Sequence, residues 1–227
     1  MDIQNSVILI TSAGSLLGRT LAYHFASLGA KVVLTDTDIQ TLEKTRLSCN
    51  TVSDSVFAYE MESYTTGNIQ SLLDYIEETF SRSVDVLINY WPSQPFPSLT
   101  SDTTAEDFSN ALSLLTSSLF SFGQASAERM RIHAKNGVIV NLLSQVDVND
   151  FNGFEHASSI LSGLTMSWAR ELTPFNIRVG GVVPALAYSA DAREHCHWAE
   201  IQDELIRSTE YIVSNEYFSG RVMAAEI

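Results

Sequence analysis

Ser6-Val-Ile-Leu-Ile-Thr-Ser-Ala-Gly-Ser-Leu-Leu-Gly-Arg-Thr-Leu-Ala-Tyr-His-Phe-Ala-Ser-Leu-Gly29 holds a strand, a turn and a helix in one stretch. Ser6 to Thr11 is apolar between its ends, the pattern of a strand buried on both faces. Leu17, Leu21 and Phe25 then recur at helical spacing, and Gly29 suits the position just past a helix end. The same alternation continues outward. Lys31-Val-Val-Leu-Thr-Asp36 reads as a second strand, Asp38 to Leu47 as a short polar helix and Ser55-Val-Phe-Ala-Tyr59 as a third strand. Ile69, Leu72, Leu73 and Ile76 mark a helix, and Val84-Asp-Val-Leu-Ile-Asn89 a fourth strand. Trp91 to Ser98 is expected to be a loop, because Pro92, Pro95 and Pro97 do not suit a central strand. A long helix follows from Thr104 to His133, capped by Thr103 or Thr104, with Glu106 and Asp107 in its first turn. Gly137 to Leu143, Ile177 to Val183 and Gly220 to Ala225 complete the strands, with helices over Phe154 to Leu172 and Asp191 to Thr209. Strand and helix in strict alternation predict one α/β domain over residues 1–227, a doubly wound parallel sheet of about seven strands with helices on both faces.

Composition narrows the functions open to such a domain. The chain has 227 residues, 13 Lys and Arg against 27 Asp and Glu, and a net charge of −14. That surface repels nucleic-acid phosphates and anionic lipid, so neither is an expected partner. No apolar run approaches the roughly 20 residues of a membrane helix. No basic segment followed by an apolar one opens the chain, so a secretory signal is not expected. Cys49 and Cys196 form no framework, which suits a reducing cytoplasm. Lysine is confined to Lys31, Lys44 and Lys135. No metal site is expected: Glu194-His-Cys-His197 has two-residue spacings that face different ways on a helix.

Three segments carry a resemblance to a known family: Val84-Asp-Val-Leu-Ile-Asn89, Gly137-Val-Ile-Val-Asn141 and Glu171-Leu-Thr-Pro-Phe-Asn-Ile-Arg-Val179. With the order of elements, they resemble the short-chain dehydrogenase/reductase family over essentially the whole chain. The resemblance implies a Rossmann-like fold, a nicotinamide dinucleotide and assembly into dimers or tetramers. The family's T-G-x-x-x-G-x-G turn, on which a pyrophosphate rests against a helix N-terminus, corresponds to Thr11-Ser-Ala-Gly-Ser-Leu-Leu-Gly18. Thr11 and Gly18 match, Gly14 falls at a variable position, and Ser12 and Leu16 replace glycines, Leu16 with bulk where phosphates would lie. The turn is either a distorted nucleotide site or a plain β-to-α connection. Asp36 matches the acid that binds the adenosine ribose and would select NAD(H) over NADP(H); it is also placed to cap a helix. Glu62 is a weak match to the acid near the adenine. In the family's N-N-A-G, only Asn89 of Asn89-Tyr-Trp-Pro92 is kept, and Trp91 is expected to fill space beside the cofactor ribose.

The catalytic positions implied by the resemblance are the sharpest test. Ser144 matches the family serine. Leu115 stands at the asparagine position, Phe154 at the tyrosine and Ser158 at the lysine. A phenyl ring has no proton to transfer and a serine hydroxyl no positive charge. His156 sits about 200° round the helix from Phe154 and reads as a surface or interface residue. After Pro184, Ser189 is a stand-in for the threonine that holds the nicotinamide amide, and the substrate lid is expected to be shortened around 185–198, leaving the site wet.

On this reading the chain is a catalytically inactive relative, with no cofactor expected and NAD(H) the choice if one is bound. It would serve as a structural or regulatory subunit, as a homodimer or homotetramer through helices 104–133 and 154–172, or beside an active relative. Ser109, Ser113, Ser117 and Ser121 on one helix, and Ser158, Ser159, Ser162, Gly163 and Thr165 on the other, form the small-residue rows of that contact. The alternatives are an NAD(H)-dependent oxidoreductase working through Ser144, and a small-molecule binder using a cleft near Trp91, Ser144 and Phe154.

Overall fold

Fully apolar strands bury both faces, and the computed structural model of the chain shows where each face goes. It describes residues 1–93, 96–97, 102–145, 154–185 and 198–225. The strands are β1 (Val7–Ile10), β2 (Lys31–Asp36), β3 (Val56–Glu60), β4 (Val86–Ser93), β5 (Gly137–Gln145), β6 (Ile177–Pro184) and β7 (Val222–Ala225). They form one parallel sheet in the order β3-β2-β1-β4-β5-β6-β7. The winding reverses between β1 and β4, and at such a switch point the carboxyl ends of the strands open a crevice.

Side chains alternate along each strand, and so the core divides in two. Val7, Leu9, Val33, Leu87 and Ile139 pack against α3 (Thr66–Phe80), α4 (Ala105–Ile132) and α5 (Phe154–Leu172). Ile8, Ile10, Val32, Leu34 and Ile88 pack against α1 (Leu16–Ser27), α2 (Ile39–Cys49) and α6 (Trp198–Ser214). The helix ends follow from local chemistry. Thr104 and Asp107 close a reciprocal capping box at the start of α4. Ala134, at φ +49, ends that helix with Lys135 N–H donating to the Met130 carbonyl.

The amino ends of the strands are tied by one buried carboxylate. Asp85 accepts from Val7 N at 2.8 Å, Arg82 at 2.6 Å and Lys135 Nζ at 3.1 Å, joining β1, β4 and β5 at the end away from the crevice.

Three sequence expectations are corrected here. The loop proposed for Trp91 to Ser98 begins later, because β4 continues through Trp91 and Pro92 to Ser93 beside β5. Pro92 is tolerated because Tyr90, two residues earlier, turns its N–H toward Thr11. The missing N–H of Pro92 therefore falls on the same side, beyond the end of β1 at Ile10. Thr165, placed in the small-residue row of α5, is instead fully buried and accepts from Asn141 Nδ2 at 3.1 Å. The last helix reaches Ser214, past Thr209, and residues 191–197 of the expected span lie outside the described residues. Among the described residues, no helix is long and apolar enough to cross a membrane.

Candidate functional site

The crevice is built from the carboxyl ends of β1, β2, β4 and β5. Thr11 follows β1 fully buried, and its hydroxyl donates to the Tyr90 carbonyl at 2.7 Å while accepting from Tyr90 N at 2.9 Å. This clip fastens the turn to β4. Ser12 follows at φ +50, in the left-handed region that favours glycine. Ser15 caps α1 by accepting from Gly18 N at 3.0 Å. A Cβ on Gly18 would lie 2.4 Å from the Ser12 carbonyl, so the turn can close only on a glycine there. Leu16, the first residue of α1, is 62% exposed.

Asp36 braces the same turn. Its Oδ2 accepts from Gly14 N at 2.9 Å and its Oδ1 from Thr37 N at 2.7 Å. A Cβ on Gly14 would collide with Thr41 Oγ1 at 2.3 Å, so this glycine is what lets α2 approach. The cap of α2 is Asp38, which accepts from Gln40 N and Thr41 N, and that leaves Asp36 free of the capping role. Glu62 is exposed.

Asn89 is fully buried and committed to the opposite face of β4. Its Nδ2 donates to the Leu119 carbonyl at 2.9 Å and to Asn141 Oδ1 at 3.2 Å, while its Oδ1 accepts from Trp91 Nε1 at 2.8 Å. The indole can only donate, which fixes the amide orientation. Trp91 therefore points to the side of β4 opposite Tyr90. It lies in the core on the α4 side, against Tyr64 and Phe122. The reason is parity: Asn89 and Trp91 point one way from β4, Tyr90 the other. Leu115 and Phe154 are buried in the same cluster as Trp91. Among the described residues, Trp91 and Phe154 thus sit together in the core on the α4 side.

Ser144 lies on the other face and is 2% exposed. Its hydroxyl meets the Tyr90 hydroxyl at 2.7 Å. Pro92 pairs with Ser144 in register, so Tyr90 reaches it diagonally from two residues earlier on the same face. Tyr90 is itself 2% exposed. Burial pushes its pKa up, hydrogen bonds to Ser144 and Ser15 oppose that rise, and the charge of Asp36 adds to it. One phenol thus joins β4 to the serine of β5. Tyr90 is the residue that reading the sequence missed; the available signal was its parity with Val86 and Ile88 on a strand longer than expected.

Along the first turns of α5, Ser158 Oγ and His156 Nδ1 are buried without a hydrogen-bond partner among the described residues, and His156 sits edge-on to Phe108. Ser189 and the segment Glu194 to His197 lie outside the described residues, as does nearly all of 185–198. Among the described residues, no group of three or more His, Cys, Asp or Glu is placed to hold a metal ion.

Residues 6–199 match the family model described as short chain dehydrogenase. The chain belongs to the short-chain dehydrogenase family. An uncharacterized oxidoreductase of Thermotoga maritima is 26% identical over 211 residues, covering 91% of this chain and 82% of its own. The 7α-hydroxysteroid dehydrogenase of Escherichia coli K12 is 28% identical over 207 residues, covering 88% and 78%. Among solved structures, an NAD+-bound xylitol dehydrogenase shares the fold with a TM-score of 0.81 at 19% identity, over 99% of this chain and 98% of that one. Within this member of the short-chain dehydrogenase family, the turn, Asp36 and Ser144 are brought to one crevice, whereas Asn89, Leu115 and Phe154 are built into the core on the α4 side of the sheet.

Proposed function

We propose that this short-chain dehydrogenase does not catalyse hydride transfer and serves as a structural or regulatory subunit of an oligomer. The observation that carries the reading is the state of Ser144, whose hydroxyl is taken by a buried tyrosine from β4 rather than offered to a substrate. By the family resemblance, Phe154 stands for the tyrosine and Ser158 for the lysine. Phe154 is 2% exposed and packed in the core, and Ser158 carries no charge. Tyr90 is a poor substitute acid, because burial raises its pKa and, among the described residues, no lysine or arginine is bonded to it. On this reading no nicotinamide cofactor is required, and assembly uses α4 and α5, where Leu114, Phe120 and Met166 are exposed apolar side chains.

Purified protein supplied with NADH or NADPH and a broad panel of ketones and aldehydes should oxidise neither nucleotide above the buffer rate. Sustained turnover on any substrate of the panel would overturn the reading. It would favour the second one, an NAD(H)-dependent oxidoreductase in which Ser144 and Tyr90 form a hydroxyl pair. That alternative is supported by the oxidoreductases among the curated relatives. Loss of such turnover in Tyr90→Phe would make Tyr90 its proton donor.

A further inference from the structure

We infer that Tyr90 is a plug that decides which nucleotides the crevice can take, excluding a dinucleotide. This rests on the proposed reading that the crevice is a dehydrogenase cofactor site put out of use. The sheet order places β4 between β1 and β5. A dinucleotide laid across the carboxyl ends of the strands would run from Asp36 on β2, past the amino end of α1, to Ser144 on β5. It must therefore pass over the end of β4. There the Tyr90 side chain is buried, with its hydroxyl on Ser144 Oγ at 2.7 Å and its ring in one apolar cluster with Leu17 in the first turn of α1. These are the two ends that the pyrophosphate-to-nicotinamide half of the ligand would have to connect.

The plug is held in place rather than resting there. The Tyr90 backbone is clipped to Thr11 through both its N–H and its carbonyl. Its ring belongs to the apolar cluster with Ile8, Ile10 and Leu17. Swinging it aside would break the hydroxyl contact with Ser144 and expose an aromatic ring, so a ligand gains access only by carrying that cost in its own affinity. Removing the ring removes the cost.

Calorimetric titration of the full chain with NADH tests this. Tyr90→Ala and the strand-compatible Tyr90→Val should each bind NADH at least about tenfold more tightly than wild type. Tyr90→Phe, which keeps the ring and loses only the hydroxyl contact, should gain no more than about fivefold over wild type. Equal NADH affinity in wild type and in both small-residue variants, with cooperative melts showing that they fold, would overturn the inference. Hydrogen exchange on the wild type needs no variant. Excess NADH should add no protection at residues 11–18 or 140–144, and added protection of both segments would mean that no plug exists. NADH binding by wild type as tight as by the small-residue variants, without turnover, sinks the plug and leaves the inactive reading intact. Turnover gained in Tyr90→Ala leaves the plug standing and removes every other cause of inactivity.

Discussion

Tyr64 shows how far a single side chain's surroundings reach. Its ring meets Trp91 at 5.0 Å and Phe122 at 5.8 Å between centroids. Burial, reinforced by the nearby charge of Asp36, pushes its pKa up to about 12. An unfolded tyrosine titrates near pH 10. The contribution of a neutral Tyr64 is therefore complete below that pH and is lost as the pH rises toward 12. Denaturant melts between pH 8 and 11 should show an alkaline decline in stability that is smaller in Tyr64→Phe. An identical decline in both proteins would remove Tyr64 from the account. Other residues teach what a sequence can and cannot carry. That Ser12 replaces a glycine is legible; that it still adopts a glycine-like φ of +50 is not, because the strain is held by Thr11, Ser15 and Gly18 around it. Asp36 and Asp38 could not be told apart as helix cap and turn brace from spacing alone, since either side chain reaches an N–H.

At the level of elements, α4 and α5 meet where Gly123 faces Trp168. A Cβ on Gly123 would stand 2.6 Å from the indole, so the glycine is a notch cut for the ring. Gly123→Ala should cost about 1–3 kcal/mol by overpacking, even though alanine is the better helix former. A melt showing no loss would mean that the indole has somewhere else to go. Strand and helix order was legible because each strand is a buried apolar run and each helix keeps a 3.6-residue stripe. The bounds of β4 were not. Proline argues against a central strand, but that argument assumes a neighbour on both sides, and β1 stops short. The same misjudged end hid the diagonal pairing of Tyr90 with Ser144. Thr165 was misplaced for a related reason: its partner, Asn141, comes from a strand brought beside α5 only by the fold.

For the molecule as a whole, exposed apolar side chains interrupt a strongly acidic surface. Phe120, with its neighbours Trp168 and Phe175, lines a groove of about 280 Å³ between α4 and the end of α5. Gly163 on α5 is exposed, with open space around it. If assembly uses this face, sedimentation should give a dimer or larger species for wild type and a monomer for Gly163→Arg, a substitution with room to fold. A wild-type monomer at high micromolar concentration would count against the proposed subunit role. The stretch of β4 beyond β1 also has a consequence in time. It is held by contacts distant in the chain, Tyr90 with Ser144 among them, and such closures form late in folding. Tyr90→Phe should remove about 1 kcal/mol of hydrogen bonding, which appears as roughly fivefold faster unfolding with the refolding rate unchanged. Stopped-flow measurements separate the two limbs, and a slower refolding limb would place the contact early instead. The hydroxyl pair would then govern the native state's lifetime: a latch whose release rate, rather than its equilibrium strength, limits how often the end of the sheet comes open.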